Sequence, residues 1–191
     1  MDGVVIREYR PGDEDAVRTV VTAAFGDEGQ TVAALVDDLR VGHARAELVS
    51  EQDDTVVGHV LLSRSWVDAR RALVEVLVLS PLSVAPGHQG RGVGTELLAA
   101  AIDRARRLGA PALFLEGSPA YYSSRGFEPA TPRGFIRPST RVPEPAFQVV
   151  VLDGHEGWMS GALVYCEPFW THDCVGLRDP ELGKIEQMFE S

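Results

Sequence analysis

The chain has 191 residues, 45% hydrophobic and 24% charged, with 19 glycines and 12 prolines; this is one domain's worth of an ordinary folded protein, large enough to bury a core without disulfides. The formal charge is −10, which argues against nucleic acid as a partner. The acidic N-terminus argues against a signal peptide, and the absence of a long apolar run argues against a membrane span. Cys166 and Cys174, eight positions apart, fit no zinc or redox spacing and read as reduced thiols of a cytoplasmic protein without a metal.

In chain order, Val4-Val5-Ile6 reads as a short strand, and Asp13 as the cap of a helix running to about Phe25 with Ala16, Val17, Val20 and Val21 inward. Val32, Leu35, Val36 and Leu39 repeat at helical spacing up to Gly42. Leu48-Val49, a polar turn at residues 51–54 and the run Val56 to Leu62 form an antiparallel hairpin. The most apolar strand, Leu73 to Val84, contains Pro81, which cannot donate to a ladder and marks a bulge or a place where strands part. A helix from about Val93 ends at Gly109, Ala112 to Leu115 is a short strand, and Pro119 opens a short helix carrying Tyr121 and Tyr122, stopped by Gly126. Strands near Ala146 to Leu152 and Ala162 to Cys166 complete the sheet. This order implies a single domain, 1–191, with a mixed α/β sheet paired in parallel around the glycine-rich loop.

Charge is unevenly spread. Residues 1–85 hold 8 basic and 15 acidic side chains, 86–137 hold 7 and 4, and 138–191 hold 3 and 9, so only the middle carries a positive balance suited to a compact anion. In that segment Gly90, Gly92 and Gly94 lack Cβ atoms, so backbone N–H groups can converge on phosphate oxygens at a helix N-terminus, with Arg91 adding charge. A P-loop is excluded because Gly94-Thr95 lacks the lysine. A dinucleotide fold is disfavoured by the glycine spacing, although Glu116 stands 22 residues after Gly94.

Gln89-Gly90-Arg91-Gly92-Val93-Gly94, following a strand that ends Leu82-Ser83-Val84, resembles the acetyl-CoA signature of the GNAT N-acetyltransferase superfamily. Gly117-Ser118-Pro119-Ala120-Tyr121-Tyr122 and Arg125-Gly126-Phe127 are similar to a segment of its YhbS-like group, and the resemblance spans about residues 4–170. It implies a GNAT-like mixed sheet with central splayed parallel strands and flanking helices, and an acetyl-CoA dependent transfer of an acetyl group to a primary amine of a small molecule or protein by direct attack.

Carried over residue by residue, the resemblance gives the cofactor to the strand end Leu82, Ser83 and Val84, with the backbone of Leu82 and Val84 holding the pantetheine and polarising the thioester. It gives the pyrophosphate to Gln89, Gly90, Arg91, Gly92, Val93, Gly94 and Thr95. Protonation of the leaving thiolate goes to Tyr122, four residues before the Gly of Gly-Phe, with Tyr121 as the substitute. The position matching the family's glutamate base is Val78, with Ser80 and Leu82 following on the same strand face, which leaves Glu75, His59 and Asp68 as candidates by proximity. Ser118 stands where that group has aspartate. The acceptor side falls to the loops 25–31 and 62–71. The missing glutamate keeps open a non-catalytic acyl-CoA binding or sensing module. His172 with Cys174 would be a weak metal pair, His88 a loop residue near phosphate, and Phe169-Trp170 with Trp158 core packing, a cover for a sheet edge or a homodimer contact.

Overall fold

The computed structural model describes residues 3–189. Its strands are β1 (Val5–Glu8), β2 (Ala44–Gln52), β3 (Thr55–Ala69), β4 (Leu73–Val84), β5 (Ala112–Glu116), β6 (Glu128–Pro129), β7 (Phe147–Val151) and β8 (Gly161–Val164). The helices are α1 (Glu14–Phe25), α2 (Gly29–Arg40), α3 (Val93–Arg107), α4 (Pro119–Tyr122), α5 (Glu167–Thr171) and α6 (Glu181–Phe189). The sheet runs β1-β2-β3-β4-β5-β7-β6, with β8 against the far half of β3. All pairings are antiparallel except β4 with β5.

The two sheet faces carry separate cores. Val17, Val21, Val32 and Val36 of α1 and α2 pack on Val76, Val78 and Phe114, while Leu97, Leu98, Ala101 and Ala105 of α3 pack on Leu77, Leu79, Leu113 and Leu115. Period-two alternation along β4 and β5 faces a 3.6-residue stripe on each side, the mixed α/β arrangement that the element order implies.

The β4–β5 ladder is short. It pairs Leu77 with Leu113 and Val78 with Phe114 and then stops. On the other edge of β4, Val60 pairs with Leu82 and Leu62 with Leu79, so Ser80 and Pro81 together oppose Leu61. This is a bulge, and it bends β4 away from β5. The extra residue also resets the alternation: Leu82 and Val84 pack on the α3 core with Leu77 and Leu79. The expectation that Leu82 shares a face with Val78 and Ser80 is therefore corrected.

Other differences have local causes. Asp13 sits at the start of α1 but makes no capping bond to it; its carboxylate is taken by Arg7, at 2.7 and 2.9 Å, and by the Arg10 N–H. Residues 62–71 are not a free loop, because β3 continues through Ala69 with β4 on one side and β8 on the other. The strand expected over Ala162 to Cys166 pairs with β3 and ends at Val164, and Tyr165-Cys166 lead into α5. Phe169 is buried in the core while Trp170 is half exposed. Helix α6 lies beyond the segments to which the sequence reading assigns elements. Both cysteines are free, and among the described residues no helix is long and apolar enough to cross a membrane.

Candidate functional site

Strand pleat decides which backbone groups face the opening beside β4. The Ala85 N–H donates to Val57 of β3 at 2.9 Å, so the N–H and C=O groups of Leu82 and Val84 point the other way, toward the side where β5 has parted. Ser83 lies between them, buried, paired with His59. The Val84 carbonyl accepts a hydrogen bond from Gln89 Nε2 at 3.0 Å, which folds the glycine loop back over the strand end.

From there the chain enters α3. Gly90 and Gly92 have φ of 72° and 92°, left-handed conformations that favour glycine, and a Cβ on either would meet nothing within 4 Å. The first hydrogen bonds of the helix, from the Thr95 and Glu96 N–H groups to Gly92 O, leave those of Val93 and Gly94 unused at its positive end. A cavity of about 370 Å³ lies here, lined by Val84, Gln89, Gly92, Thr95, Tyr121 and Arg125 among others. It is an open concavity of backbone donors with one guanidinium, a donor set suited to a diphosphate.

That guanidinium is the component the sequence reading misses. Arg125 donates from Nε to Thr95 Oγ1 at 3.0 Å, is held by the Tyr121 carbonyl, and stacks 3.9 Å above the Tyr121 ring. Arg91 is exposed and does not line the cavity. The positive balance of residues 86–137 was the available signal, but it could not say which arginine turns inward.

The two tyrosines of α4 separate. The Tyr121 hydroxyl approaches Gly94 so closely that a Cβ there would lie 2.7 Å from it. Tyr122 turns to the end of β5, where a Cβ on Gly117 would lie 2.3 Å from its ring, and it packs edge-on against Phe127. Burial pushes the Tyr122 hydroxyl up to about 12, so it keeps its proton at neutral pH.

Through the splay, on the α1–α2 face, lies a second cavity of about 550 Å³ whose walls include Phe25, Glu28, Ser80, Pro81, Glu116 and Cys174. Phe25, Glu28 and Thr31 line it, and no residue of 62–71 does. A third cavity, about 670 Å³ and mostly apolar, lies under α6 between Pro119, Pro143, Leu177, Ile185 and Met188, with Glu116 also in its wall.

None of the candidate bases reaches these cavities. Glu75 is exposed and paired with Arg45, His59 is fully buried with Nε2 2.7 Å from Glu47, and Asp68 is exposed on β3. His172 Nε2 is 2.6 Å from Asp38, the Cys174 thiol donates to the His172 carbonyl, and Trp158 Nε1 donates to Glu156. Ser118 lies on the rim of the third cavity.

Residues 14–127 match the model of the acetyltransferase (GNAT) family. The chain is 34% identical over 129 residues to the N-acetyltransferase YjhQ of Escherichia coli, covering 66% of this chain and 71% of that one. It is 31% identical over 169 residues to the N-acetyltransferase YhbS of the same organism, covering 87% and 98%. The crystal structure of Escherichia coli YhbS in complex with CoA superposes with a TM-score of 0.79 at 27% identity, covering 88% of this chain and 93% of YhbS. A GNAT acetyltransferase from Brucella melitensis in complex with acetyl-CoA superposes at 0.72 and 28% identity, covering 88% and 99%. With its strands splayed beside a glycine loop at the head of α3, this chain is an N-acetyltransferase of the GNAT family.

Proposed function

We propose that the chain transfers the acetyl group of acetyl-CoA directly to a primary amine of a small molecule or protein. The observation that carries this reading is the free edge of β4 beyond its last pair with β5, where the backbone groups of Leu82 and Val84 face the gap next to the cavity at the glycine loop. Pantetheine runs along Leu82 to Val84, and the N–H groups of Leu82 and Val84 polarise the thioester carbonyl, while the backbone groups of Ser83 face β3. The pyrophosphate lies on residues 89–95, with Arg125 as its charged partner. The amine arrives from the α1–α2 face, and its nitrogen bonds to the carbonyl carbon as the C–S bond breaks. Tyr122, protonated at working pH, gives its proton to the thiolate and recovers one from the acylated nitrogen or from solvent. A cytoplasmic setting, where thiols stay reduced, fits the two free cysteines.

Thiol release on mixing acetyl-CoA with a panel of amines tests the reading, and two variants resolve it. Tyr122→Phe keeps the ring and removes the proton, so turnover falls by roughly 10² to 10⁴ fold while CoA affinity, measured by calorimetry, stays within about twofold. Gly92→Val fills the open cradle and strains a left-handed position, so the CoA Kd rises by about tenfold. Full activity in Tyr122→Phe, in Tyr121→Phe and in the double variant defeats the assigned acid. CoA binding without turnover of any amine favours a sensing module instead.

A further inference from the structure

The splay leaves one carboxylate facing the bulge. Val78 and Phe114 are the last paired residues of β4 and β5; two positions on, Ser80 and Glu116 line the same cavity. By strand alternation Glu116 lies on the face of Phe114, toward α1 and α2. Its Oε1 accepts from the Tyr165 hydroxyl at 2.8 Å and its Oε2 from the Gly176 N–H at 2.9 Å. Each oxygen keeps a second lone pair. Glu116 belongs to the walls of both cavities, the acidic one toward Glu28 and Asp173 and the apolar one under Ile185 and Met188.

We propose that the Glu116 carboxylate receives the acceptor's ammonium and takes its proton, and that the acceptor is a primary amine on an apolar body that fills the cavity beneath α6. This deepens the acetyl-transfer reading and rests on it. Of the three protons on the ammonium nitrogen, one passes to Glu116 and on to solvent, one leaves after attack and is balanced by the proton delivered to the thiolate, and one stays on the amide. No oxidant or further reactant is needed. The carboxylate comes from β5, where the sequence motif gives no base, and replaces the one that Val78 cannot supply. Burial pushes the Glu116 carboxyl up, against the two hydrogen bonds that lower it, and a raised carboxylate is the better proton acceptor near neutral pH. The groups facing it are Tyr165, Arg141, Asp173, Cys174, His172 and Glu28; Ile185, Met188 and Phe189 of α6 bring no charge.

The test compares 2-phenylethylamine with ethylamine as acceptors for the full chain, by thiol release across the neutral to alkaline range. The native protein should favour the arylalkyl amine in kcat/KM by about ten- to a hundredfold, the worth of burying such a group. Glu116→Gln should keep CoA affinity and lose roughly 10² fold or more in turnover, together with the acidic limb of the pH profile. If Glu116→Gln does not fold, Ile185→Arg in the wall of the cavity beneath α6 carries the test, because it should lower kcat/KM for 2-phenylethylamine by about tenfold more than for ethylamine. Ethylamine turnover with no arylalkyl preference, or a Glu116→Gln protein with native rates and an unchanged pH profile, overturns the inference and leaves acetyl transfer standing. CoA binding with no turnover of any amine overturns the reading beneath it.

Discussion

Glu47 on β2 and Glu116 at the end of β5 are both acids withdrawn from water, and they differ in what surrounds them. Glu47 is gripped by Arg40 through contacts of 2.6 and 3.1 Å and by His59 Nε2 at 2.7 Å. Burial would push its carboxyl up, but the His59 and Arg40 hydrogen bonds outweigh it and hold the group below the usual range. Burial also keeps the His59 imidazole below its usual value. A neutral ring donating from Nε2 leaves the unpartnered Nδ1 as a lone pair, a smaller cost than an orphaned N–H. Glu116 has only a hydroxyl and an amide as hydrogen-bond partners and opens on two cavities. Burial is common to both acids. The charge of the partner and the presence of free volume separate the one that holds the sheet from the one that can exchange a proton.

Removing each acid should expose the difference most strongly. Glu47→Ala strands the buried His59 and leaves the Arg40 guanidinium with its Asp37 ion pair at 3.0 Å, and should cost about 3 to 5 kcal/mol of stability. Glu116→Ala strands a hydroxyl and an amide, for about 1 to 3 kcal/mol. Denaturant unfolding measures both, and equal losses would break the comparison.

Acidity should sharpen it, because the two carboxyls respond with opposite sign. Glu47 has a folded pKa below its ordinary 4.5, so its contribution is present above that value and is lost as pH falls through the folded pKa. His59 acts in the same direction, since its folded pKa lies below 6.5 and stability declines as pH falls below that value. Glu116 has a folded pKa above 4.5, so its contribution is full below that value and is lost as pH rises through the folded pKa. The stability difference between the native protein and Glu116→Gln should therefore shrink as pH rises above about 4.5. With Glu47→Gln the difference should shrink as pH falls. Unfolding free energies over a pH series distinguish the two, and parallel trends would remove the distinction.

The proposed anion half of the site, Arg125 apart, was legible because it is local. One stretch, Leu82 to Thr95, holds the strand end, the glycines and the helix start, and Pro81 announces the break through its missing N–H. The acceptor half was not legible, because Glu116 meets Tyr165 across 49 residues and Gly176 across 60. Counted along the chain, Glu116 is only an acid at a dinucleotide-like distance from Gly94; the role proposed for it rests on where β5 ends opposite the bulge. The same bulge hid the face of Leu82, since a one-residue insertion inverts alternation without altering composition. Residues 62–69 carry polar Ser63, Arg64 and Ser65 and read as a loop until β4 and β8 flank them.

The smallest expected effect singles out one hydrogen bond. Tyr165 is buried, its ring against Phe169 with centroids 4.8 Å apart, so Tyr165→Phe should keep the packing and remove only the hydroxyl that donates to Glu116. The loss in stability should be about 1 kcal/mol. The hydroxyl lowers the Glu116 pKa by stabilising the carboxylate, so without it the pKa rises further and more of the protein holds a protonated, inactive Glu116 at neutral pH. The acidic limb of kcat/KM should move to higher pH, while the alkaline plateau, where Glu116 is ionised in both proteins, stays within about twofold of the native value. A limb that moves to lower pH, or does not move while Glu116→Gln abolishes it, would mean that Tyr165 does not set the basicity of Glu116. A plateau that collapses with the limb in place would make Tyr165 a positioning residue, holding the carboxylate toward the bulge rather than tuning its proton.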